Sequence, residues 1–344
     1  MSLLRLPRPR APGFCPRVAY NAAMASTAER HVPVVLDLWQ FRAQDLGEML
    51  EEETAAWREE LHWDFRPSAQ LVRRFVDAHA LNGYVLVIDD QVAGYSYYVC
   101  EEHKGLVGDL YVRKKFRTAG NERKLLGAVV DHLIGARYVK RIESQLVLSR
   151  SLDSGPLPGA SFARPYPRYF MEIDAAVGAK LPARALEEVV LDQWTERWQD
   201  ETAHLIASAY RGHVDSEIND QYRSASGARR FLYNIVQHPG CGTFYEPAAC
   251  VAVIENTGKL CGASLTSMVA EDSGHVTQIC VAPATKGQGV GYELLRRSLG
   301  ALAVAGAKTV SLTVTAANQD AVRLYQRVGF SIERQFSAFV WEGF

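Results

Sequence analysis

The residues best suited to chemistry lie between Lys286 and Gly291, where glycines alternate in Lys286-Gly287-Gln288-Gly289-Val290-Gly291. The apolar-rich run Val276-Thr277-Gln278-Ile279-Cys280-Val281 leads into them. Leu294, Leu295, Leu299 and Leu302 follow at helical spacing. A strand that turns through glycine into a helix leaves the helix's first backbone N–H groups unpaired, at the positive end of its dipole. Such a terminus holds phosphate, and glycine lets the ligand approach the backbone closely. Gly306 stands where that helix should stop. Two familiar phosphate motifs are excluded. The P-loop pattern Gly-x-x-x-x-Gly-Lys-Ser/Thr does not occur. The dinucleotide pattern fails because the third glycine comes one residue early and the next strand, Thr309–Val314, ends without an acid.

The string instead resembles the acetyl-CoA motif of the GCN5-related N-acetyltransferases, Gln/Arg-x-x-Gly-x-Gly/Ala behind a strand ending Val-x-Pro. Here Val281-Ala282-Pro283 precedes it, and Lys286 replaces the usual Arg or Gln. Asn318, Ala321, Leu324, Tyr325, Gly329 and Phe330 reproduce the family's next motif, Asn-x-x-Ala-x-x-Leu-Tyr-x-x-x-Gly-Phe. Asn318 suits a helix N-cap and Gly329 a C′ position. The resemblance implies acetyl-CoA as cosubstrate, held by the turn Lys286–Gly291 (Lys286, Gly287, Gln288, Gly289, Val290, Gly291), by the backbone of Ile279, Cys280 and Val281, and beside Asn318. It also implies that Tyr325 protonates the leaving thiolate, for which a phenol near pKa 10 is well matched. A tyrosine packed in the core by its ring is the other reading.

For the general base, Glu271, Asp272 and His275 cluster before or at the start of the motif strand. His275 is the first choice because an imidazole near pKa 6.5 suits neutral pH; water can also serve. The polar run Arg211–Tyr222 follows a helix expected over Glu196–Tyr210, in the region where the resemblance places the acceptor site. Asp215 and Tyr222 there, with Gln278 on the motif strand, are the expected acceptor-binding residues. Capping and turn chemistry would account for the same polar run.

Comparing the chain with itself reveals a duplication. Val112–Leu126 aligns without gaps on Val281–Leu295, placing Arg117 on Lys286, Gly120 on Gly289 and Leu125-Leu126 on Leu294-Leu295. A hairpin-like stretch precedes each copy, Tyr84–Gly94 and Cys250–Gly262. The expected fold is therefore α/β, of the mixed-sheet α+β type. It comprises two tandem acetyltransferase-like domains, each a mostly antiparallel twisted sheet flanked by helices. The expected boundaries are 1–31 for a flexible tail, 32–177 for a first domain, 178–186 for a linker and 187–344 for the catalytic domain. The first copy reads as degenerate. Glu122 stands where Gly291 stands in the second, a carboxylate that would repel a diphosphate. Ser151–Gly159, a loop, replaces the second motif. Tandem copies with a degraded first member resemble the architecture of mycothiol synthase, a likeness of architecture and not of substrate.

The rest of the composition narrows the classes. At 344 residues with 48% apolar content, two cores are within reach. A formal net charge of −1 calls for no polyanion, so no nucleic-acid partner is expected. No apolar run approaches a membrane span. Six cysteines are scattered without a Cys-x-x-Cys pair, so neither a metal site nor a disulfide framework is expected, and a reducing cytoplasm is the default. The first 28 residues carry Arg5, Arg8, Arg10 and Arg17 and no acid. Organelle import is one reading of that stretch; a loose tail, or a start at Met24, is the preferred one. The expected activity is acetyl-CoA-dependent N-acetylation of a small-molecule or peptide amine, by a monomer or a homodimer. A non-catalytic acyl-CoA-binding module, or transfer from another acyl-CoA, stands as the alternative.

Overall fold

The computed structural model describes residues 32–149, 152, 155–238, 240 and 242–344. The expectations for the 1–31 tail, and part of those for 151–159, lie outside the described residues. Strand β1 (Val34–Asp37) is followed by helices α1 (Gly47–Leu61) and α2 (Arg66–Asp77), then by an antiparallel meander of β2 (Asn82–Ile88), β3 (Gln91–Glu101) and β4 (Lys104–Val112). The β2–β3 turn is Asp89-Asp90, both at positive φ (52° and 56°), the two-residue geometry that matches the twist of paired strands. Helix α3 (Ala119–Gly135) crosses to β5 (Arg141–Gln145), which lies parallel to β4. Then come β6 (Ala163–Asp174) and the short α4 (Ala175–Gly178).

The pattern then repeats. Strand β7 (Val189–Gln193) leads to α5 (Gln199–Ala209), α6 (Asp215–Ile218), α7 (Ala225–Gln237) and the two-residue β8 (Thr243–Phe244). Strands β9 (Cys250–Ile254), β10 (Lys259–Ala270) and β11 (Ser273–Val281) form a second meander. Helix α8 (Val290–Val304) crosses to β12 (Thr309–Thr315), parallel to β11, before α9 (Gln319–Val328) and β13 (Ser331–Glu342). Period-2 alternation assigns the two sheet faces. Val85 packs with α1 and α2 while Leu86 packs with α3; Val251 packs with α5 and α7 while Ala252 packs with α8. Leu294, Leu295, Leu299 and Leu302 of α8 are fully buried, each adding roughly 2 kcal/mol by area.

Among the described residues the strands make one sheet, in the order β1-β2-β3-β4-β5-β13-β6-β12-β11-β10-β9-β7, with β8 beside β10. The last strand of each repeat is exchanged. Strand β6 pairs with β12 and β13, and β13 pairs with β5 and β6. Sequence alternation identifies a strand but not its neighbour, so this exchange is not visible in the repeat alignment. It places side chains from β6 against the second repeat.

Candidate active site

The glycine turn has the backbone geometry that a phosphate cradle requires. Gly287 and Gly289 lie at φ 81° and 89°, where a side chain would be strained. Gly289 is the N-cap of α8 and makes no side-chain capping bond, so the helix opens with free N–H groups. A Cβ at Gly287 would meet nothing within 4 Å, leaving room over the turn. The matching helix of the first repeat is closed. Thr118 Oγ1 accepts from Asn121 N at 3.1 Å, and Glu122 is buried in the first turn. Arg117, aligned with Lys286, lies over the Tyr111 ring at 5.1 Å and donates Nε to Val112 O.

The strand before the turn splays from its neighbour. Strand β11 pairs with β12 only from Ser273–Thr309 to Val276–Leu312. Beyond Val276 the two part, leaving the β12-facing edge of Thr277–Val281 unpaired. A bulge lies at the same place, since Leu265 faces Gln278 and Thr266 faces Val276, with Thr277 unmatched. The opening forms a cleft of about 810 Å3 lined by Ile279, Cys280, Val281, Lys286, Gly287, Gly289, Gly291, Asn318 and Tyr325. His275, Gln278, Asp215 and Tyr222 line the same cleft. Gln288 and Val290 do not. Gln288 is exposed and donates Nε2 to Ala284 O at 3.2 Å, and Val290 is buried against Leu294. Asn318 accepts from Ala321 N at 3.3 Å and so also caps α9. The Cys280 thiol is buried and pushed up to about 12, so this strand offers backbone and not a nucleophile.

Tyr325 is 7% exposed, and its hydroxyl makes no hydrogen bond to any described residue. Its ring packs 5.9 Å from Phe330. Burial raises its pKa, Asp215 raises it further and Arg168 opposes, so the phenol keeps its proton at neutral pH. Gln278 organises the facing wall. Tyr222 OH donates to Gln278 Oε1 at 3.1 Å, Gln278 Nε2 donates to Tyr210 OH at 2.8 Å, and Tyr210 OH donates to Ile279 O at 3.3 Å. The Tyr210 and Tyr222 rings stack at 4.6 Å. Asp215 accepts from Thr315 Oγ1, and its other oxygen lies 3.5 Å from His213 Nδ1.

His275 differs from its sequence reading. It is buried, with Nδ1 2.9 Å from Ser311 Oγ and its ring edge-on to Trp63 at 4.9 Å. Burial, with the nearby Arg168 charge, lowers its pKa to about 3, so the ring is neutral and a weak proton acceptor at pH 7. Asp272 lies elsewhere, paired with Arg58 at 2.9 Å, and Glu217 is exposed beside Arg223. Among the lining residues that the sequence analysis did not single out are Tyr210, Arg168 and Arg184. Tyr210 ends the helix that precedes the polar run, which is a usable signal. Arg184 sits between the repeats and Arg168 on the exchanged strand β6, where local pattern carries no signal.

Residues 184–330 match the Acetyltransferase (GNAT) family. That segment, the second repeat, is a GCN5-related N-acetyltransferase domain. It is similar to a mycothiol acetyltransferase of Thermobispora bispora, 29% identical over 255 residues that span 72% of this chain and 80% of that one. Two solved GNAT proteins share the fold. One, from Sphaerobacter thermophilus, has a TM-score of 0.63 at 19% identity, covering 90% of this chain and 95% of its own. The other is a tandem GNAT protein from the clavulanic acid biosynthesis pathway, with a TM-score of 0.59 at 15% identity, covering 90% and 98%. The GNAT assignment makes this an acetyltransferase, with two tandem copies of the fold.

Proposed function

We propose that the second repeat transfers an acetyl group from acetyl-CoA to a primary amine of a small molecule or peptide, by direct attack of the amine on the thioester. One observation carries the reading: the uncapped glycine turn, the free phenol of Tyr325 and the carboxylate of Asp215 open on a single cleft. The residues fit the cosubstrate. The N–H groups of Gly287–Gly291 would hold its diphosphate, with Lys286 and Arg184 beside them, and the unpaired edge of Thr277–Val281 would bind its arm. Acetyl-CoA supplies the activated acetyl group.

The chain's own groups do the rest. Asp215 receives the cationic amine. His213, 3.5 Å from Asp215 and 23% exposed, carries the amine proton toward solvent. Tyr325 gives its proton to the departing thiolate. Neutral His275 holds the strand ends together through Ser311 and is not the base in this scheme. In the same reading the repeats divide as 32–177 and 187–344, joined by 178–186, and the first does not bind CoA. A cytoplasmic location goes with this proposal. Among the described residues no helix is long and apolar enough to cross a membrane.

The test is thiol release from acetyl-CoA across a panel of primary amines, with mass spectrometry of the products. The name of the Thermobispora bispora relative puts the deacetylated form of mycothiol in that panel. The reading expects at least one N-acetylated product. Binding of CoA with no transfer to any amine would favour a binding module instead.

A further inference from the structure

Arg168 belongs by chain order to the first repeat, yet it lines the acceptor side of the second repeat's cleft because β6 is exchanged; its Cα lies opposite Thr315. Its guanidinium is poorly satisfied. Nη2 donates to Thr313 Oγ1 at 3.2 Å, while Nε is buried and has no hydrogen-bond partner. No described carboxylate lies within ion-pair distance of it, whereas Arg141 is paired with Glu143 and Glu342, and Arg113 with Glu48 and Glu52. A half-buried guanidinium without an anion is costly, and a ligand that supplies the anion removes the cost. The opposite charge, Asp215, is in the same cleft but not paired with it; Asp215 is engaged by Thr315, two residues from Thr313 on the same face of β12. That spacing sets the two anchoring points roughly 7 Å apart. Two opposite charges kept apart in one cleft complement a molecule carrying both.

We propose that Arg168 is a specificity-determining residue of the acceptor site: it binds a carboxylate-type anionic group on an acceptor whose amine sits at Asp215, several ångström away. This rests on the amine-acceptor reading above. It also gives the first repeat a task in the acceptor site without any cofactor of its own. A guanidinium suits this because it presents a rigid fork of donors matched to two oxygens.

The experiment compares kcat/KM for β-alanine and γ-aminobutyrate with their amides, in the full chain and in its Arg168→Gln and Arg168→Lys variants. The wild type should favour the acids by about tenfold or more, the scale of one charge-assisted bidentate contact. Arg168→Gln should abolish that preference with the acetyl-CoA KM unchanged, and Arg168→Lys should restore part of it. Equal use of acids and amides by the wild type would overturn the proposal. So would an Arg168→Gln variant that loses both substrates in proportion, which marks a structural role. Transfer to neither form, nor to any amine of the wider panel, would overturn the amine-acceptor reading and this inference with it.

Discussion

Replacing Gly289 by Ala and by Glu separates backbone geometry from charge at the cradle. Gly289 holds φ 89° just before α8. A Cβ there would lie 3.6 Å from Leu186 Cδ2, an ordinary contact, so Ala meets only the left-handed conformation, about 1–2 kcal/mol. Glu has the same backbone cost, and its carboxylate recovers about 0.3–1 kcal/mol at the helix's positive end, so the fold should survive. Binding is another matter. A carboxylate about 6 Å from a diphosphate of roughly two negative charges, at an effective dielectric of about 40, repels it by near 3 kcal/mol, about a hundredfold in Kd. Calorimetric titration with CoA should show Gly289→Ala within about tenfold of wild type and Gly289→Glu weaker by about a hundredfold or more. Thermal melting would verify that both are folded. A folded Gly289→Glu variant that binds CoA like wild type would refute the cradle.

Tyr325→Phe should lower kcat by roughly tenfold to a thousandfold with little change in the acetyl-CoA constant, because it removes the acid and keeps the ring; wild-type turnover would return Tyr325 to the core. Asp215→Asn should raise the acceptor KM while the acetyl-CoA constant holds, read by steady-state kinetics with each substrate varied in turn. Acid sensitivity should trace to His275. The unfolded imidazole takes a proton near pH 6.5, whereas the folded ring refuses it until about pH 3, so stability is full above pH 6.5 and falls as the pH drops through that window. By pH 5 the wild type should have lost about 2 kcal/mol more than His275→Gln in denaturant unfolding, and equal losses in the two proteins would remove His275 as the cause.

The structure that is local in the chain was readable from the residues. The glycine turn, the Asn318 cap and Gly329, found at φ 114°, each depend on a few neighbouring residues, and the structure places them as read. The repeat alignment likewise located a hairpin and a crossover helix in each copy. Two things depend on distant partners and were not readable. The exchange of β6 and β13 is decided by which edge each strand finds, and an alternating pattern does not encode an edge. The state of His275 is decided by Trp63, Ser311 and Arg168, which lie far from it in sequence, so a reference pKa misjudged it. Arg168 was hidden for the same reason: its strand reads as part of one repeat and serves the other.

Acetyl-CoA is proposed to bind in the second repeat, between the splayed ends of β11 and β12. A crystal structure of the protein with acetyl-CoA tests it most directly. The diphosphate should lie on the N–H groups of Gly287–Gly291 and the acetyl thioester in the opening past Val276 and Leu312, within reach of Tyr325. Acetyl-CoA seated instead at Thr118–Glu122, on the N-terminus of α3, would contradict it.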